Sequence, residues 1–339
     1  MILVFTAAIV GCGAIARLHA SAINENEEIS LISVADIVPD RSAKFAKEFG
    51  GMPFGSINEM LLSTKPDVVH ICTPHFTHAS LAIKALKSGC NVVLEKPLCI
   101  SIGDIALIKE AEKESGKHLG IVLQNRYKET SQAAKKLIDS KDCGKVFGAR
   151  GFVTWKRDEN YYTLSGWRGK LETEGGGVMI NQAIHTLDLM FWLIGDPKSV
   201  EGNVFNHHLK DAIEVEDTAE AYFDFGDGLT SIFYASTAHC DDSPTFLEIE
   251  CEKYKIILEG ENLIIKGYDG KITQFLTNGV NESQGKPCWG DYHKILIEDF
   301  YSCLKKGLKF PVDVNEGSRA LKAILGLYES SAKRAKVEF

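Results

Sequence analysis

The stretch AAIVGCGAIA, residues 7 to 16, passes from an apolar run into helix-forming residues across two glycines, and it limits the possible folds more than any other feature of the chain. A β-rich run that meets G-x-G-x-x-A and then a helix is the opening of a βαβ unit. Gly11 permits the tight turn, Gly13 lets backbone approach a pyrophosphate, and Ala16 allows close packing of helix on strand. Ala14 and Ile15 begin the helix, whose N-terminus faces the anion. A lone G-x-G-x-x-A also occurs as a mere tight turn. Context favours the binding reading, because Asp36 follows Ala16 by twenty residues at the end of the next apolar run. A carboxylate there accepts hydrogen bonds from a ribose diol and repels a 2′-phosphate, so the expected cofactor is NAD, with NADP less favoured.

The rhythm that follows agrees. Short runs such as ISLISVAD, DVVHICTP and NVVLEKP alternate with helical stretches such as SAKFAKEFG and ASLAIKALKSG. Strands apolar on both sides, separated by helices, predict a doubly wound parallel sheet over residues 1–122. Beyond GIVLQNRY the pattern changes to a helix near 129–140, a strand GARGFVTW, a long loop, an apolar helix, and then strands in succession. One pair is a hairpin about Gly-Asp-Gly at 226–228. Strands without intervening helices predict an open antiparallel sheet in an α+β domain over residues 123–339. Two helices close the chain, the second with Asn315 as its expected cap.

Composition excludes several classes. The 339 residues are 45% hydrophobic and 25% charged, the proportions of a globular protein. Thirty-eight basic against forty-six acidic residues leave a net charge of -8 with no basic tract, which argues against nucleic acid. Nine scattered cysteines (Cys12, Cys72, Cys90, Cys99, Cys143, Cys240, Cys251, Cys288, Cys303) form no C-x-x-C pair, which points to reduced thiols in a cytoplasmic protein. The apolar opening MILVFTAAIVG lacks a basic leader and runs into the glycine turn, so it reads as a buried strand. No later run is expected to cross a membrane.

GGGVMINQAIHTLDLM, residues 175 to 190, reads as an apolar helix with Asn181, His185 and Asp188 in one narrow wedge, reached through a flexible glycine lead-in. A core helix with satisfied polar groups is one reading and a functional wall is another. A metal site lacks a convincing set of ligands. The preceding loop, 154–177, concentrates Trp155, Arg157, Tyr161, Tyr162, Trp167 and Arg168. Such groups either stack on sugar or nicotinamide faces and hold anionic oxygens, or are scattered surface residues.

Taken together, GCGAIA, CTP at 72–74, EKP at 95–97, the His185 helix and WGDYHKILIEDFY at 289–301 resemble the oxidoreductase family named for glucose-fructose oxidoreductase and inositol dehydrogenase (Gfo/Idh/MocA). The resemblance spans essentially the whole chain. It implies an NAD-binding Rossmann domain followed by a substrate-binding and oligomerisation domain. Thr73, Pro74, His78 and Glu95 would fall on the cofactor groove, although His78 also suits a helix cap, and Arg41 would cover the adenine. Trp167 and Arg168 would lie near the cofactor. Lys96 would sit beside nicotinamide and substrate, where an ammonium steadies alkoxide charge. His185 would act as acid or base. The family pattern has an aspartate four residues before that histidine, and this chain has Asn181, which cannot hold a negative charge but can orient an imidazole or a sugar hydroxyl. Asparagine there looks like the branch acting on nucleotide-linked sugars at C3. His75 and His293 carry weaker signals. The implied activity is NAD-dependent oxidation or reduction of a sugar, cyclitol or nucleotide-sugar, with catalytic Lys96, His185 and Asn181. Rival readings are a redox-neutral eliminase or glycosidase of the same fold, and a non-catalytic NAD or sugar sensor. A homodimer or homotetramer through the second sheet is expected, without membrane or nucleic-acid partners.

Overall fold

The structure, a computed structural model, describes residues 4–275 and 292–339. Cys288, the first residues of the apolar opening and the Trp289-Gly290-Asp291 portion of the closing motif lie outside the described residues. The described chain forms two compact units, one of residues 4–124 and 292–318, the other of 125–275 and 319–339.

In the first unit β1 (Phe5–Val10), β2 (Ile29–Ala35), β3 (Met52–Phe54), β4 (Val68–Ile71), β5 (Asn91–Leu94) and β6 (Leu119–Ile121) form one parallel sheet in the order β3-β2-β1-β4-β5-β6. Their interior residues, among them Ala7, Ile9, Val69, Val92 and Val93, are fully buried, which explains the unbroken apolar runs. The connecting helices are α1 (Ala14–Asn24), α2 (Pro39–Phe49), α3 (Ile57–Thr64), α4 (His78–Lys87) and α5 (Ile102–Ser115). Strand order reverses between β1 and β4. Ligands of such sheets bind outside the carboxyl ends of the strands at that point. Residues 292–318 complete this unit. Tyr301 on the late helix 292–306 lies edge-on to Phe5, and Ile121 N–H donates to Val312 O at 2.9 Å. A Cβ on Gly120 would stand 2.7 Å from the rings of both Phe300 and Phe310, so that strand position admits no side chain.

The second unit holds α6 (Glu129–Asp139), β7 (Val146–Thr154), α7 (Glu159–Thr163), α8 (Leu171–Glu174), a π turn (Met179–Ala183) and α9 (Ile184–Ile194). Strands β8 (Ser199–Phe205), β9 (Thr218–Gly226), β10 (Leu229–Ser236), β11 (Phe246–Cys251), β12 (Tyr254–Glu259), β13 (Asn262–Gly267) and β14 (Ile272–Phe275) follow. After the first unit's α10 (Tyr292–Lys306) come α11 (Val314–Lys333) and β15 (Val337–Glu338). The sheet order is β14-β13-β12-β11-β7-β10-β9-β8-β15. It is antiparallel as expected except for one pair: β7 and β10 run parallel, and the other described pairs antiparallel. The long connection through α9 makes this possible, because a parallel pair needs a crossover.

Phe191 of α9 meets Phe223 edge-on, with ring centroids 5.2 Å apart, on the buried face of the sheet. The hairpin turns at Asp227 and Gly228, whose φ angles of 53° and 80° are the left-handed pair that a two-residue turn requires. Asp313, not Asn315, caps α11: its Oδ1 accepts from Glu316 N–H at 3.0 Å, since a cap reaches the third residue into the helix. By composition the helical stretch Leu171–Ile194 is long and apolar enough to cross a membrane, contrary to the expectation that no run would be. Of its apolar 18-residue window 78% is buried within the structure, as in the core helix of a globular protein.

Candidate functional site

At the carboxyl edge of the first sheet the predicted cofactor residues come together. Gly11 has φ 87°, and a Cβ there would strike Cys72 O at 2.6 Å, so only glycine makes this turn. A Cβ on Gly13 would meet nothing within 4 Å, and Gly13 precedes α1 without any side-chain cap. The first amides of α1 are therefore reachable by an anion, as a pyrophosphate requires. Ala16 is fully buried. Asp36 ends β2 with its carboxylate accepting from Cys12 N–H and Val38 N–H, each at 2.9 Å, and Arg41 Nη1 lies 3.6 Å from it. The acid thus holds the glycine turn at the end of β2. Burial and the Asp36 charge push the Cys12 thiol up to about 12, so it stays protonated.

Thr73 and Pro74 end the β4 edge, and Thr73 Oγ1 accepts from Thr77 Oγ1 at 2.7 Å. Lys96 follows β5 half-buried between buried neighbours, joined to Pro97 by a cis peptide bond. Two expected cofactor residues are placed elsewhere. His78 is fully buried, with Nδ1 2.6 Å from Pro97 O and Nε2 2.8 Å from Thr73 O, so the ring sits between the CTP and EKP loops with its one N–H donating to one of the two carbonyls. Glu95 turns into the interior, where Oε1 lies 3.0 Å from His19 Nε2 and 3.6 Å from His293 Nε2. His19 Nδ1 in turn meets His70 Nδ1 at 2.9 Å, and His70 Nε2 meets Tyr301 OH at 2.9 Å. Burial alone would raise the Glu95 pKa, but the hydrogen bonds and charges of His19 and His293 outweigh it and hold the carboxyl well below its usual range. No sequence signal marked this buried chain, because its members are spread from residue 19 to residue 301.

In the second unit the helix 178–194 separates structural from accessible polar groups. Between Val178 and Phe191, Asn181 and His185 alone are not fully buried. A π turn is wider than an α turn, so four residues fall just short of one revolution and the two still project from one side. Asp188, expected in the same wedge, is buried and bound to Arg126. The glycine lead-in is not flexible. All three glycines are buried, and a Cβ on Gly176 would lie 2.1 Å from Tyr328 Oη and one on Gly177 1.9 Å from Glu216 O. Glu216 fastens the segment by accepting from Gly177 N–H at 2.7 Å, Met179 N–H at 3.0 Å and Tyr328 OH at 2.8 Å.

The residue that sequence reasoning missed is Glu174. Fully buried at the end of α8, it accepts from Gly169 N–H and from Asn181 Nδ2, both at 2.5 Å. Burial raises its pKa to about 7, opposed by those two hydrogen bonds and by Arg168. Around it the aromatic and basic loop packs on itself: the Arg168 guanidinium lies 4.7 Å from the ring centres of both Tyr161 and Trp167, and Arg157 lies 5.0 Å from that of Trp155. Tyr162 is buried, its hydroxyl 3.1 Å from Thr237 Oγ1.

A parallel sheet with a G-x-G-x-x-A turn and an acid at its switch point, in one chain with a helix-backed mixed sheet, defines the class of two-unit NAD-binding Rossmann oxidoreductases. The chain belongs to the GFO/IDH/MocA family. The model of that oxidoreductase family's NAD-binding Rossmann fold matches residues 5–122, and the model of its C-terminal domain matches residues 131–257. The D-glucoside 3-dehydrogenase of Escherichia coli K12 is 28% identical over 204 residues, 58% of this chain and 57% of that protein. The scyllo-inositol 2-dehydrogenase (NAD(+)) of Bacillus subtilis 168 is 27% identical over 68% of this chain and 66% of its own length. The chain thus spans little more than half of the first of these relatives. A solved structure, the WlbA dehydrogenase from Bordetella pertussis in complex with NADH and UDP-GlcNAcA, is 27% identical, with a TM-score of 0.87 and 99% of both chains covered.

Proposed function

We propose that the protein is an NAD-dependent dehydrogenase that interconverts a hydroxyl and a ketone on a sugar, cyclitol or nucleotide-linked sugar. The observation that carries this reading is the helix 178–191, which buries every residue except an amide and an imidazole on one side. The first unit fits a dinucleotide: α1 amides open beyond Gly13, the Asp36 carboxylate at the end of β2, and Arg41 on the exposed side. When bound, NAD supplies the hydride acceptor. Ala14 and Ile15 would bring backbone N–H groups to the pyrophosphate, and Asp36 would take the adenosine ribose hydroxyls.

His185 would take the proton of the substrate hydroxyl at a ring nitrogen, and return it in the reductive direction. The Lys96 ammonium would steady negative charge on the substrate oxygen as that proton leaves. Asn181 would orient a neighbouring hydroxyl, and Trp167 with Arg168 would line the approach as a stacked pair. A nucleotide-linked sugar is favoured by Asn181 and by the full-length similarity to the WlbA dehydrogenase, whose crystal held UDP-GlcNAcA. The reduced thiols suit a cytoplasmic setting.

The outer face of the second sheet carries Tyr222, Ile232 and Tyr234 exposed on the neighbouring strands β9 and β10. An apolar sheet face of this kind needs a cover, and a second copy of the chain would supply it. Light scattering should then give a dimer or tetramer.

The test is NADH absorbance during incubation with NAD and a panel of UDP-GlcNAcA, D-glucosides, free inositols and levoglucosan. Steady accumulation of NADH with one substrate class is the expected result. Turnover of a sugar without free NADH would instead identify the redox-neutral chemistry, and ligand binding without turnover a sensor.

A further inference from the structure

Glu174 is placed where a merely structural acid is hard to account for: it is fully buried, and its two oxygens face two donors, the Gly169 amide and the Asn181 side chain. We infer that Glu174 is a positioning residue whose ionisation decides which end of the Asn181 amide is presented on the helix side shared with His185. The inference deepens the dehydrogenase reading and rests on it for its catalytic consequence.

The argument is one of donors and acceptors. An ionised carboxylate can only accept, so Oε1 requires the NH2 end of Asn181, and the amide oxygen then points away from Glu174. In that state the accessible side of the helix offers an acceptor, which suits a sugar hydroxyl that must donate. On protonation, one carboxyl oxygen becomes a donor. The Gly169 N–H is fixed backbone and still needs an acceptor, so the proton belongs on Oε1. The Asn181 amide must then rotate by half a turn to offer its own oxygen, which brings the NH2 group outward. A single proton on a residue behind the site thus exchanges an acceptor for a donor in front of it.

Neighbouring groups set the balance between the two states. Arg168 opposes protonation, Glu216 from the segment before β9 favours it, and the neutral hydroxyls of Tyr162 on α7 and Tyr328 on α11 face the same region. His185, one turn beyond Asn181, is the remaining titratable group on that helix side. Burial places the Glu174 transition at about 7.

The test needs no substrate. In protein labelled with ¹⁵N-asparagine, the Asn181 side-chain NH2 signal is identified by its loss in Asn181→Asp and followed with pH. An inflection near neutrality in the wild type, kept in His185→Phe and absent in Glu174→Gln, is expected; an inflection that survives Glu174→Gln, or none in the wild type, overturns the inference. Should Glu174→Gln fail to fold, Arg168→Gln serves, because loss of that cation should move the inflection to higher pH, and an unmoved inflection overturns it. With an active nucleotide-linked sugar as probe, Glu174→Gln should lower kcat about tenfold with KM within about twofold, and remove the Glu174 contribution to the acidic limb of the kcat profile while leaving that of His185. A wild type that reduces no NAD with any sugar would sink the dehydrogenase reading, while the amide signal would still decide this one.

Discussion

Arg126 and Asp188 are joined by two parallel hydrogen bonds, Nε to Oδ2 at 2.8 Å and Nη2 to Oδ1 at 2.7 Å, with both side chains buried. The pair fastens α9 at a buried position three residues beyond His185, and the guanidinium also lies 5.7 Å from the ring of Trp192. Asp188→Asn would leave a buried guanidinium without its counter-charge, at a cost of about 3–5 kcal/mol. Urea unfolding at neutral pH should show that loss, and the double change Arg126→Met/Asp188→Leu should recover most of it.

Lys96→Met and His185→Phe address the chemistry. Each should lower kcat by roughly 10²- to 10⁴-fold, the range for removal of a general acid or base. Both should leave the affinity for NADH, followed by its fluorescence, within a few-fold of the parent. A variant that keeps full kcat removes its residue from the reaction.

Asp36 holds the Cys12 amide, and the proposed function gives it the ribose diol as well. Asp36→Ser should raise the KM for NAD about tenfold, equivalent to roughly 1.4 kcal/mol. The KM for NADP should change little or fall, since the charge that repels a 2′-phosphate is gone. The ratio of kcat/KM for the two cofactors is the measurement, and an unchanged ratio would place the ribose elsewhere.

The buried Glu174 predicts how stability depends on pH. Its pKa rises from the ordinary 4.5 to about 7 on folding, so between those values the folded state binds the proton and the unfolded chain does not. Stability from this group is full below about pH 4.5 and is lost as pH rises through about 7, by up to about 3 kcal/mol. Urea midpoints at pH 5.5 and 8.5 should therefore differ more in the wild type than in Glu174→Gln. Glu216 shifts in the same direction and is present in both proteins, so the comparison isolates Glu174.

Gly177→Ala should fail for steric reasons alone. Its new Cβ would stand 1.9 Å from the Glu216 carbonyl oxygen, and backbone cannot yield as a side-chain tip can. A loss above about 3 kcal/mol, or an insoluble product, is expected. A stable, active variant would mean that the segment rearranges freely.

The first sheet was legible because parallel strands buried on both faces must read as apolar runs, and Gly11 and Asp36 sit at fixed places in such a sheet. The second sheet was legible as strands and as mainly antiparallel, but its parallel pair was not, since β7 and β10 look alike whichever way they run. Asn181 and His185 could be found from spacing, yet spacing could not show that Asp188 binds Arg126, because the partner lies sixty-two residues away. Histidines gave the least reliable signal: His78 and His19 carry the same ring as His185, and full burial separates them from it. Glu174 was hidden for a related reason. It precedes a glycine run on a four-residue helix, too short for any pattern, and its importance comes from being folded against Asn181.

The division of the first unit into residues 4–124 and 292–318 affects how the chain can fold during synthesis. Leu296, Phe300, Phe310 and Val312 are buried parts of that unit, and they leave the ribosome only after every strand from β7 to β14 has been made. Until then the Gly120 edge of the nascent sheet lacks the aromatic rings that cover it, and an apolar surface is exposed to other chains. A fragment stopped at residue 122 would carry the same exposed edge permanently.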